Sequence, residues 1–407
     1  MRKLLFIAVL VPLVLAAGWY YFHERTLSAY GPLYREYAYI SNGKSNTVTV
    51  IDLRSFRPVR TLQVGTEPTG VAANPKRNEV YVVNTGSSNV SVIDAEQNKV
   101  VATIGVYGRP YFIDVSPDGR RAYVANSGSD NVSVLDLDHR TVAATLRVGG
   151  DPGLARVSPD GSTVVVTNRA DNTVSIIDAA RLAVRSAINV CIHPEDIAIL
   201  LDSSKAFISC SGSGQVASIA LKNEPRENEP RQNEPQQSEP QNDKLLALLD
   251  VGQSPVSLAL KPDGGELIAF NFDAGSISII ETAPNEVSGS YLIGSQPTRG
   301  VVSADNSRLY ISNFGSNNIA VYDIDLGKVI AYLPVGTHPD ALALSQDQNY
   351  LLVLDSGSGD LVVIQKRQPK KKFEPSEYSL LTIIPVGMQP NQIVVKSFRA
   401  TKLIDGR

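Results

Sequence analysis

Ala122-Tyr123-Val124-Ala125-Asn126-Ser127-Gly128-Ser129-Asp130-Asn131-Val132-Ser133-Val134-Leu135-Asp136 is the clearest copy of a stretch that recurs along the chain. Val80-Tyr81-Val82-Val83-Asn84-Thr85-Gly86-Ser87-Ser88-Asn89-Val90-Ser91-Val92-Ile93-Asp94 is an earlier copy. Two runs rich in β-branched and aromatic residues flank a short polar loop, so each copy reads as a hairpin. A proline marks one phase of the repeat, at Pro68, Pro110, Pro152, Pro194, Pro255, Pro297, Pro339 and Pro390. Successive prolines are 42, 42, 42, 61, 42, 42 and 51 residues apart.

A strand-rich period of about 40–45 residues is the signature of propeller blades. In the unit from Gly153 to Pro194, strand A is Leu154–Val157, B is Thr163–Asn168, C is Thr173–Asp178 and D is Val184–Val190. The turn Ser158-Pro159-Asp160-Gly161 recurs at Ser116-Pro117-Asp118-Gly119 and, nearly, at Lys261-Pro262-Asp263-Gly264. Proline presets φ at its first turn position and glycine permits positive φ at its end. The chain opens in mid-blade: Tyr37–Asn42, Thr47–Asp52 and Arg60–Val64 have no strand A before them, and Gln392–Lys396 is a strand A with nothing after it. Pairing the two closes the ring and removes exposed sheet edges. The expectation is an all-β, closed eight-bladed propeller of four-stranded blades over residues 36–398, with seven blades as the alternative.

The 407 residues are 43% hydrophobic and 19% charged, with a net charge of −3. That balance carries no basic footprint for nucleic acid. At the start, Arg2 and Lys3 precede the apolar run Leu4–Ala17, and Trp19-Tyr20-Tyr21-Phe22 follows Gly18. Residues 1–22 read equally as a cleaved secretory signal and as a retained membrane anchor. Either way the remainder is exported, to the periplasm or beyond, with 23–35 as a tether and 399–407 as a tail. No other stretch reads as helical. Both excess spacings fall between strands C and D. Residues 222–244 hold a low-complexity Asn-Glu-Pro repeat, expected to be disordered and read more simply as an insertion in a tolerant loop than as a docking tail. Gln365 to Ser379 contains Lys370-Lys371-Lys372, a solvated charge run.

Tyr81-Val82-Val83-Asn84, Tyr123-Val124-Ala125-Asn126 and Val165-Val166-Thr167-Asn168, with the flanking Ser-Pro-Asp-Gly, Asn-Val-Ser-Val-Ile-Asp and Val-Gly-x-x-Pro elements, resemble the YVTN β-propeller repeat family. The resemblance spans about residues 35–398. It implies exported or cell-surface propellers, often seven-bladed, that mostly lack an established reaction. Lactonases and quinoprotein or haem-d1 domains are further propellers of similar build.

A repeat supplies its own reference, and departures from it are candidates for function. Strand B ends in Asn42, Asn84, Asn126, Asn168, Asn271 and Asn313, with Cys210 and Asp355 as exceptions. Strand C ends in Asp52, Asp94, Asp136, Asp178, Glu281 and Asp323. Their recurrence marks both sets as local structural bonds. The residue before each proline has no fixed type: Glu67, Arg109, Asp151, His193, Ser254, Gln296, His338 and Gln389. These positions sit where strand A enters the channel, and a variable polar ring there is what a tuned binding surface would show. The sector with His193, Glu195 and Asp196 departs most, and His338-Pro339-Asp340 echoes it. The candidate ligand-binding residues are therefore Glu67, Arg109, Asp151, His193, Glu195, Asp196, Arg299, His338 and Asp340. No acid, base and nucleophile set converges, and no metal-ligand or haem-attachment spacing is present, so no catalytic residue, metal or cofactor is assigned.

The two cysteines, Cys191 and Cys210, replace the glycine of Val-Gly-x-x-Pro and the asparagine that ends strand B at one junction. Adjacent antiparallel strands bring those ends within disulfide range, and an exported protein can oxidise them. The functional expectation is a monomeric, non-enzymatic exported scaffold that binds a partner protein, glycan or small ligand at the channel mouth, with a membrane tether if the anchor is retained. The alternative is a lactonase-like hydrolase with a metal or carboxylate centre there.

Overall fold

The computed structural model describes residues 31–221, 243–367 and 377–402. The signal or anchor, most of the tether, the Asn-Glu-Pro insert and the Lys370–Lys372 run lie outside these residues. Among the described residues, the strands form eight antiparallel four-stranded sheets. Blade 1 joins Tyr34–Asn42, Thr47–Asp52 and Arg57–Gln63 to the last strand, Pro390–Arg399. Blades 2 to 8 begin in order at Pro68, Pro110, Pro152, Pro194, Pro255, Pro297 and Pro339. Closure by the C-terminal strand runs from Tyr34↔Arg399 to Ser41↔Gln392, with a bulge before Asn42↔Pro390. The Lys396 ammonium on the closing strand ties blade 1 to blade 2 by donating to the Asn74 carbonyl, at 2.6 Å. The sheet extends past the expected 36–398, because the closing pair continues to Tyr34 and Arg399.

Strands B and C are buried on both faces, whereas D alternates, as at Lys99–Gly105. This is the pattern of inner strands sandwiched between blades and an outer strand at the rim. The core accordingly lies between blades. Tyr81, Val83 and Val90 of blade 2 pack on Ile113, Val124 and Leu135 of blade 3. At the seam, Ala38, Ile40 and Ile51 of blade 1 pack on Leu352, Leu354 and Val363 of blade 8. Each such side chain contributes roughly 1.5–3 kcal/mol on burial, and a blade alone would leave both faces wet.

The recurrent polar residues hold the hairpins. Asn126 Nδ2 donates to Asn131 Oδ1 at 2.8 Å and Ser133 Oγ at 2.9 Å across its B–C loop. Asn84 repeats this with Asn89 and Ser91. Asp94 Oδ1 accepts from the Glu96 and Gln97 amides, and Asp136 Oδ1 from Asp138 and His139, so these carboxylates cap turns. Among the described residues, one 3-10 turn, Phe314–Ser316, interrupts the all-β pattern in the B–C loop of blade 7.

The disulfide Cys191–Cys210 forms, with a Cα separation of 5.7 Å. Its origin lies in a contact that most of the other blades make with different residues. A Cβ built on Gly65 would lie 2.7 Å from Asn84 Cγ, and one on Gly387 would lie 2.5 Å from Asn42 Cγ. The glycine and the asparagine are thus in direct contact, and blade 5 replaces the pair together with a covalent bond. In blade 8 the same contact is Gly336 N–H to Asp355 Oδ2, at 3.0 Å.

Candidate functional site

Strand A has no partner strand on its channel side, so its polar backbone groups must be met by side chains from the preceding blade. Asp114 Oδ2 accepts from Val157 N–H at 3.0 Å, Asp196 Oδ2 from Leu258 N–H at 3.0 Å, and Gln392 Oε1 from Val71 N–H at 3.0 Å. Asn391 Nδ2 donates to the Pro68 carbonyl at 2.8 Å. Side chains of the first residues after each proline therefore crowd the start of the channel. There they enclose a cavity of about 430 Å³, to which every blade contributes.

Two arginine clusters build one side of it. The Arg169 guanidinium lies 4.6 Å from the ring centre of Tyr111, and its Nε donates to Glu195 Oε2 at 3.0 Å. His193 Nδ1 lies 2.9 Å from Glu195 Oε1, so Glu195 is held from two directions. The Arg156 guanidinium lies 4.7 Å from the ring centre of Phe112, and its Nη2 is 3.7 Å from Asp196 Oδ1. Burial raises the Asp114 carboxyl above its ordinary range, partly offset by Arg156. Each cluster spans blades 3, 4 and 5, and stacking plus ion pairing fixes both guanidinium planes.

Opposite them stand Phe272, Thr298, Arg299 and Asp340. Burial pushes the Asp340 carboxyl up, and the Arg299 guanidinium offsets only part of that. Ser257 Oγ donates to Asp196 Oδ2 at 3.0 Å, which makes this serine part of a structural clamp. At the rim the His338 ring stacks on Phe314, with ring centres 4.4 Å apart.

Of the nine expected residues, Glu195, Asp196, Arg299 and Asp340 line the cavity. Glu67, Arg109, Asp151, His193 and His338 do not; they sit in the D–A turns at its rim. The reason is backbone geometry. All eight residues before the prolines have positive φ, between 49° and 58°. The amides of Glu67, Asp151, His193 and His338 are held by Asn46, Asp130, Asn172 and Asn317 of the preceding blade's B–C loop. The lining instead comes mostly from the residues just after the prolines, with Arg169 and Phe272 added from B–C loops. Sequence reasoning missed Tyr111, Phe112, Arg156, Arg169 and Phe272. A signal was available: Tyr111-Phe112 stands where blade 2 has Thr69-Gly70. Likewise Arg169 and Phe272 follow their asparagines where blades 2 and 3 have Thr85 and Ser127.

Among the described residues, no group of three or more His, Cys, Asp or Glu side chains could hold a metal ion. Haem iron is held by imidazole, thiolate, thioether or phenolate. The wall offers no His, Cys or Met, and its one phenol is Tyr111, whose ring face lies against Arg169. Apart from that phenol, the wall holds no side chain of a type that ligates haem iron.

The family model of the cytochrome D1 heme domain matches residues 76–197. Among solved structures, dihydro-heme d1 dehydrogenase NirN is similar over 89% of this chain and 75% of its own, with a TM-score of 0.71 and 17% identity. Hydrazine synthase of Kuenenia stuttgartiensis is similar over 80% of this chain and 91% of its own, with a TM-score of 0.55 and 21% identity. A candidate 6-phosphogluconolactonase from Bacteroides uniformis is similar over 89% of this chain and 99% of its own, with a TM-score of 0.58 and 16% identity. No curated protein matches the chain in sequence. At these identities the likeness is one of fold, and with eight sheets closed by the last strand, the chain is an eight-bladed β-propeller repeat protein.

Proposed function

We propose that this protein is an exported, non-enzymatic propeller that binds a small polar ligand in the cavity at its channel mouth. The observation that carries this reading is the cavity itself, about 430 Å³ and lined from all eight blades. That is within the usual size of small-molecule sites, and two stacked, ion-paired arginines preorganise one wall. A flat partner surface would not reach these groups, which favours a small ligand over a docked protein. Export is supported by Arg2 and Lys3 ahead of an apolar run and by the disulfide. Among the described residues, no helix is long and apolar enough to cross a membrane.

The test is native mass spectrometry of protein released from its own compartment without denaturant. A bound small molecule is expected in the wild type and lost in the Arg169→Ala variant. Wild-type protein that retains no adduct and shows no saturable ligand in a metabolite screen would overturn the reading.

A hydrolytic reading draws on one observation, the Asp340 carboxyl, which burial favours in its neutral, proton-donating form. It lacks a nucleophile, because Ser257 is committed to Asp196. Lactone and ester substrates should accordingly turn over no faster than in buffer, and turnover lost in Asp340→Asn would instead establish hydrolysis.

A further inference from the structure

The two sides of the cavity differ in how their charges are met. On blades 3 to 5, Arg169 has Glu195 and a tyrosine face, and Arg156 has Asp196 and a phenylalanine face. On blades 7 and 8, Arg299 bonds only through its backbone, to Ser312. Among the described residues, its guanidinium and the Asp340 carboxyl enter no ion pair or side-chain hydrogen bond. The two groups sense each other electrostatically without touching. An unpaired carboxyl in a partly buried wall and an unpaired guanidinium beside it form a matched dipole with a gap between the charges. Arg299 is exposed and Asp340 half-buried, so both groups are open to a ligand entering from the channel mouth.

We infer that the ligand is a small zwitterion, an α-amino acid or the like, with its carboxylate on Arg299 and its ammonium on Asp340. This rests on the small-ligand reading of the cavity. The anion goes to Arg299 because its planar fork is free to take a carboxylate in two parallel bonds. The fork of Arg169 is already stacked and hydrogen-bonded to Glu195, and that of Arg156 is stacked on Phe112 with Asp196 at 3.7 Å and its Nε without a partner. The cation goes to Asp340 because an ammonium supplies both the charge and the donors that this half-buried carboxylate lacks. Phe272 stands on the same side and provides a flat apolar face for the ligand side chain.

The experiment is isothermal titration of the full chain at pH 7 with the free amino acids. It is followed by the N-acetylated and C-amidated forms of the tightest binder. Saturable binding of at least one amino acid is expected, with affinity about tenfold lower or worse when either end is blocked. Arg299→Gln should lose the preference for a free carboxylate, and Asp340→Asn the preference for a free amine, each with an unchanged melting temperature. Affinity should fall as pH drops through the raised folded value of Asp340, and this dependence should vanish in Asp340→Asn. Equal binding of the N-acetylated form, or no saturable binding by any amino acid, overturns the inference. If an organic acid or sugar then binds and is lost in Arg169→Ala, the ligand-site reading survives and only the zwitterion falls. If nothing binds, both fall.

Discussion

Replacing Asp355 with asparagine should stabilise the protein increasingly as pH rises. Asp355 and Asp360 are register partners at the B–C hairpin of blade 8, where blade 2 has Asn84 and Asn89 joined by a 2.8 Å bond. Asp355 is fully buried. The Oδ1 atoms of both carboxylates have no donor, so the pair can be bridged only if one of them carries a proton. Burial first, then the bond to Asp360 and its charge, raise Asp355 to about 8, against the Gly336 amide, which lowers it. The native state therefore binds a proton that the unfolded chain releases above pH about 4. The stabilisation is complete below that pH and is lost as pH rises to about 8, at about 1.4 kcal/mol per pH unit, roughly 5 kcal/mol in all. An asparagine would donate to Asp360 Oδ1 at every pH, as Asn84 does to Asn89. Urea unfolding from pH 4.5 to 9 should find Asp355→Asn close to wild type at the acid end and ahead by roughly 4 kcal/mol at pH 7. A difference that does not change with pH, or a variant that is less stable at pH 8, would refute the shared proton.

Three further outcomes follow from the fold. Deleting residues 390–407 removes the strand that pairs from Tyr34 to Asn42 and the Lys396 bond to Asn74; the whole body should lose its cooperative melt, and an unchanged melting temperature would exclude closure by this strand. Cys191→Ala with Cys210→Ala, or reduction, should cost about 3 kcal/mol in urea unfolding for a loop of this length, and two free thiols in denatured, non-reduced protein from an oxidising compartment would deny the bond. Asn126→Ala removes two buried bonds, to Asn131 and Ser133, and should cost about 2–3 kcal/mol; a loss under 0.5 kcal/mol would show that the asparagine does not hold its hairpin.

Much of the architecture is legible in the residues alone, because a repeat of fixed period must bury the same faces in every copy. The eight prolines mark where strand A enters, the orphan strands at the two ends dictate closure, and the recurrent asparagines and aspartates declare themselves structural by recurring. The paired departure of Cys191 and Cys210 points to a bond because two rare changes fall at one junction. What closure does to side chains is decided only in three dimensions. The residue before each proline is variable and polar, as a binding ring would be, yet its positive φ leaves it at the rim. The next residues along turn inward. Arg156 and Arg169 come from strand A and the B–C loop of one blade, but their partners Phe112, Tyr111, Asp196 and Glu195 belong to the blades on either side. A repeat read one copy at a time shows which residues vary; the ring decides which of them meet, because curvature around the channel sets the distance between blades.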